Sequence, residues 1–155
     1  MNESRVADEL EIRNLVARYS DAVLRFDSET WLATWAQEGE WELLGERSRG
    51  QEALAARLEA LTGGLEYVMQ CTGGGIVEID GSGAQGRWTV TEHARTQAGT
   101  ALFTMGAYSD EYCQERGAWK FARRHFSLFY MGPPDLSGRL TPVSRDMGPG
   151  LEMQA

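Results

Sequence analysis

Acid/base chemistry needs a carboxylate or an imidazole held where bulk water does not set its pKa. Asp27 is the first candidate along this 155-residue chain. It follows an apolar stripe (Ile12, Leu15, Val16, Tyr19, Ala22, Val23, Phe26) whose spacing is that of one buried helix face. It precedes a second apolar set, Trp31, Leu32 and Trp35. Asp27 therefore admits two readings: the N-cap of a second helix, or a carboxylate held against an apolar pocket with a pKa raised toward that of a proton-transfer group. The two histidines, His93 and His125, each fall in a predicted strand. His93 shares a face with Thr89, Thr91 and Arg95, opposite Trp88, Val90, Glu92 and Ala94, and on residue type alone its role is at the surface or structural.

Other chemistries lack their signatures. There is no G-x-S-x-G elbow, phosphate-binding loop, dinucleotide fingerprint or H-E-x-x-H pair. Thr72-Gly73-Gly74-Gly75 lies within a strand pattern and reads as a bulge or bend. The expected chemistry needs no cofactor and no metal. Cys71 and Cys113 belong to no ligand cluster, and suit either free thiols in a reducing compartment or one disulfide.

These residues must be positioned by a chain that changes character midway. Helices are predicted from about Arg5 to Arg25, Ser28 to Ala36 and Gln51 to Leu61, with a short strand at Glu40 to Leu44 and an exposed turn at Gly45 to Gly50. From Leu65 the pattern is β, in four segments: Tyr67 to Ile79, Gln85 to Gln97, Ala101 to Glu115 and Trp119 to Met131. Helices followed by long antiparallel strands predict an α+β fold. Strands of about 13 residues exceed the usual 5–6, so the sheet must curl into a cone with a pocket inside. In the last strand Arg124, Phe126, Leu128 and Tyr130 share one face and Trp119, Phe121, His125 and Phe129 the other; both are partly apolar, so alternation does not choose the inner one. Residues 1–132 form one domain, and 133–155 a Gly- and Pro-rich tail.

Tyr19-Ser20-Asp21 with Phe26-Asp27-Ser28-Glu29-Thr30-Trp31, and Gly117-Ala118-Trp119-Lys120-Phe121, carry a resemblance. The chain resembles the SnoaL-like branch of the nuclear-transport-factor-2-like superfamily, and within it the scytalone dehydratase and hexachlorocyclohexane dehydrochlorinase groups. The resemblance implies a cystatin-like α+β barrel: a curled, mixed, mostly antiparallel sheet closed by three N-terminal helices. It also implies a cofactor-independent lyase or isomerase acting on a small hydrophobic cyclic molecule. Alternatives are a polyketide-cyclase-like or ketosteroid-isomerase-like enzyme, or a non-catalytic ligand-binding or oxygenase-accessory module. Residue by residue, it implies a catalytic pair, Asp27 and His93, and Arg124 as a pocket arginine. Gln70 stands where the family's base histidine falls, Phe26 where a tyrosine falls and Tyr108 where an asparagine falls. Phe26, Trp31, Trp35, Tyr108 and Phe126 would supply the aromatic wall. A homo-oligomer, trimer or dimer, is also implied, and an apolar outer face with Trp119, Phe121 and Phe129 would support it.

The composition narrows the partners. A net charge of -8 and a pI near 4.8 offer no basic patch for nucleic acid or an anionic membrane. No apolar run nears the roughly 20 residues that span a bilayer, so the expected location is the cytoplasm.

Overall fold

The computed structural model of the chain describes residues 3–143. It is an α+β fold: α1 (Glu3–Leu24), α2 (Ser28–Ala33), β1 (Trp35–Leu43), β2 (Glu46–Arg49), α3 (Gln51–Thr62), β3 (Leu65–Asp80), β4 (Gly83–Thr96), β5 (Ala101–Glu115) and β6 (Ala118–Gly132). The six strands form one unclosed sheet in the order β2-β1-β6-β5-β4-β3, in which only β1 and β6 run parallel. The predicted stripe of α1 is buried from Ile12 to Val23 in an aromatic core with Trp31, Trp35 and Phe121.

The sheet curls where the ladder takes in extra residues. Register shifts fall at Leu65/Tyr67, Thr72/Gly75, Met105/Gly106 and Glu111/Tyr112. The glycine run is therefore a bulge. A Cβ on Gly75 would lie 2.1 Å from the Trp88 ring, so the close approach requires glycine. The shift at Glu111/Tyr112 pairs Tyr112 with Phe121 and Glu111 with Arg123, leaving Ala122 unmatched. That extra residue inverts the alternation of β6. Trp119 and Phe121 face the core before it, and Arg124 and Phe126 face the core after it. Trp119 and Phe121 are thus buried, and do not form the exposed apolar face expected of them.

Three boundaries differ from expectation. The second helix stops at Ala33, not Ala36: the Thr34 hydroxyl donates to the Trp31 carbonyl at 2.6 Å, and the Thr34 carbonyl accepts from the Phe121 N–H at 2.9 Å. Trp35 consequently opens β1 instead of closing a helix. The segment expected as an exposed turn is mostly strand, because Leu44 and Gly45, both at positive φ, make a two-residue hairpin turn. The first part of the expected tail returns along β6: Leu140 bridges Tyr130, and the Thr141 N–H donates to the Phe129 carbonyl at 2.8 Å. The rest of that tail, 144–155, lies outside the described residues.

Candidate functional site

A cavity of about 180 Å³ opens inside the curl, between α1, α3 and the inner faces of all the long strands. Its wall is mainly apolar, with Val68, Val90, Ala94, Leu102, Leu58 and Phe126. Three of its polar side chains form one hydrogen-bonded chain. Gln70 on β3 is cross-strand partner of Glu92 on β4, so the pleat sends both inward together. Gln70 Nε2 donates to Glu92 Oε2 at 2.8 Å and to the Tyr108 hydroxyl at 3.2 Å. Burial pushes the Glu92 carboxyl above its ordinary range, and the hydrogen bond from Gln70 opposes this only in part. Glu92 forms no ion pair among the described residues. Burial holds the Tyr108 phenol well above its usual value, so it stays protonated. Among the described residues, Gln70 Oε1 is buried without a hydrogen-bond partner, as is Nε1 of Trp41, another wall residue.

Behind this wall lies a second polar layer. Arg124 is fully buried and pairs with both oxygens of Asp110, at 2.8 and 2.9 Å. Its guanidinium carbon sits 3.8 Å from the centre of the Tyr108 ring and 4.3 Å from that of Tyr19. Asp110 also accepts from the Tyr112 hydroxyl at 2.7 Å, and that hydroxyl accepts from Trp88 Nε1 at 2.8 Å. The neighbouring carboxylate holds the Arg124 pKa above an already high ordinary value against the opposing effect of burial. Arg124 is thus a neutralised prop for the aromatic wall and does not line the cavity.

The expected pair is not brought together. Asp27 closes a Schellman motif: its N–H donates to the Ala22 carbonyl at 2.9 Å, and the Phe26 N–H donates to that of Val23 at 3.1 Å. Its carboxylate then caps α2, accepting from the Thr30 N–H at 3.0 Å and the Thr30 hydroxyl at 2.7 Å, with Arg25 at 3.1 Å. These hydrogen bonds lower its pKa, opposite to the direction expected of a pocket base. His93 is exposed on the outer face of β4, its ring centre 4.8 Å from that of Phe103 and beside Tyr67 and Arg95. The alternation that sends Val90, Glu92 and Ala94 inward sends His93 out.

Of the other expected site residues, Gln70, Tyr108 and Phe126 line the cavity. Trp31 is buried in the aromatic core behind it, stacked near Tyr19 and Trp41. Phe26 is half exposed in a groove between the helices, held at a φ of 53° as the C′ residue of α1. The residue the sequence reading passed over is Glu92. Its signal was present: a carboxylate in the apolar row Trp88, Val90, Ala94 is costly unless it serves a purpose.

Among the described residues no group of His, Cys, Asp or Glu is arranged to hold a metal ion. Both cysteines are free. Among the described residues no helix is long and apolar enough to cross a membrane.

An α+β cone with an apolar cavity and a few inward polar groups defines the class. The SnoaL-like domain family profile matches residues 4–125, and the chain belongs to that family, within the nuclear-transport-factor-2-like superfamily. Among solved structures it is similar to a putative scytalone dehydratase from Novosphingobium aromaticivorans, at 19% identity and TM-score 0.81 over 94% of this chain and 99% of that one. A type 2 hexachlorocyclohexane dehydrochlorinase matches at 18% identity and TM-score 0.79, over 90% and 95%. A Mycobacterium tuberculosis protein of unknown function matches at 28% identity and TM-score 0.74, over 81% and 74%. No curated protein matches at a significant level.

Proposed function

We propose that this protein is a cofactor-independent lyase or isomerase of one small apolar ring, with Glu92 as the group that moves the proton. The observation that carries this reading is a carboxyl inside an apolar cavity, raised by burial, with one hydrogen-bond donor and, among the described residues, no cation to hold it ionised. The neighbours named as a dehydratase and a dehydrochlorinase support the reaction class. The cavity volume suits a single ring, since a void of roughly 150 Å³ takes up benzene.

In its ionised form Glu92 takes a proton from a ring carbon. The C–H electron pair moves into the ring and either expels a leaving group or is delocalised onto a substituent. Tyr108 accepts its hydrogen bond from Gln70, so its own O–H is left to donate to the charge that develops. In an elimination the proton on Glu92 passes to the departing group or to water; in an isomerisation it returns at another carbon. Steady-state assays on a panel of small cyclic elimination and isomerisation substrates test this. Glu92→Gln should lower turnover by about 100-fold or more, while circular dichroism stays unchanged. Unaltered turnover in that variant would overturn the reading.

One observation favours a second reading, a non-catalytic ligand carrier: among the described residues, Glu92 is the one carboxylate lining the cavity, with no Lys, Arg or His beside it. A carrier would show no turnover on any of the panel and equal ligand affinity in Glu92→Gln.

A further inference from the structure

The Gln70 amide has two ends, and the protein uses one. Its nitrogen serves both Glu92 and Tyr108, and its oxygen is buried with no hydrogen-bond partner among the described residues. Turning the amide over changes the sign of the vacancy without filling it. The oxygen would then accept from the Tyr108 hydroxyl and from a protonated Glu92, and the NH₂ would be left without an acceptor. In either orientation one strong hydrogen-bonding group stays unsatisfied among apolar neighbours, and such a group costs free energy until a ligand meets it. A hydroxyl meets both cases, because it donates and accepts. A chlorine or methyl substituent meets neither.

We propose that Gln70 is the specificity-determining residue of this cavity, and that it selects a ring bearing a hydroxyl over a hydrocarbon or polyhalogenated ring. This rests on the cavity being the ligand site and deepens the function proposed above. The discrimination arises because a ring hydroxyl pairs the amide end that is unpaired in the free protein, whereas a ring without oxygen leaves it so. Sites built to hydrogen-bond a substrate group reject analogues that lack it far more strongly than apolar pockets separate shapes.

Phenol and chlorobenzene, of similar size, are suitable probes for the full chain by protein-observed NMR titration. In the unsubstituted protein, phenol should shift the side-chain amide resonances of Gln70 further than chlorobenzene does, because a hydrogen bond adds to the ring-current shift that either bound ring produces. In Gln70→Met the ratio of phenol to chlorobenzene affinity should fall by about tenfold or more, the scale of one buried group left unpaired. Gln70→His, which keeps a ring nitrogen able to donate or accept, should retain most of the preference. An unchanged ratio in Gln70→Met overturns the proposal. So do amide shifts of equal size with both probes, a reading that needs no variant to fold. If neither probe binds at millimolar concentration, the proposal falls together with the assignment of the cavity as the ligand site. Loss of turnover in Glu92→Gln alongside equal binding of both probes would sink this inference alone.

Discussion

Glu92 owes its properties to the side chains around it, and its ionisation should be legible in two measurements. Its folded-state pKa lies above the ordinary 4.5. The linkage sign follows: the stability tied to this group is present below the ordinary value and is lost as pH rises through the folded one. Glu92→Gln should therefore unfold at a higher temperature than the unsubstituted protein at neutral pH, and the gap should close in acid; a constant gap from pH 4 to pH 8 would refute the account. Because the base form does the work, turnover should rise with pH along a limb displaced above the usual carboxylate range. His93, outside the cone, should be replaceable by alanine with no change in that limb.

The join between α1 and α2 is a piece of local architecture in which Asp27 serves two helices. Its backbone completes the stop of α1, and its carboxylate starts α2. Asp27→Ala should lower the melting temperature through loss of the cap, yet leave affinity for cavity ligands within about twofold, since the carboxylate lies in the groove outside the cone. Equal losses of stability and affinity would return Asp27 to the site. Phe26 holds a left-handed conformation more commonly given to glycine or asparagine. Phe26→Asn should consequently cost little, below about 1 kcal/mol, in a denaturant titration.

Across the whole molecule, a buried ion pair and a glycine contact hold the curl in place. Removing one partner of the Arg124–Asp110 pair leaves a lone charge in the core. Arg124→Met should destabilise by about 3–5 kcal/mol, and Arg124→Met with Asp110→Leu should recover part of that loss. Denaturant unfolding of the two variants compares them directly, and additive losses would mean the pair does not act as a unit. Gly75→Ala should destabilise by about 1–3 kcal/mol by forcing Trp88 off the inner face.

The sequence by itself determined the element order, the buried stripe of α1, the switch to long strands near Leu65 and the curl that those strands require. These depend on local periodicity, which each segment carries within itself. It also held both readings of Asp27, because a cap and a pocket carboxylate look alike until the Schellman bonds are seen. It carried the signal for Glu92 as well, in a strand whose alternation was read correctly. Only the tertiary structure decided which face of β6 meets the core, because one unmatched residue at Ala122 inverts the pattern and pairing with β5 sets where that residue falls. Only it decided that Glu92 joins Gln70 and Tyr108, which the family resemblance already implied for the site, while His93 is left outside. Alternation along a strand assigns residues to two faces, and which face is inside is a property of the helices that pack against the sheet.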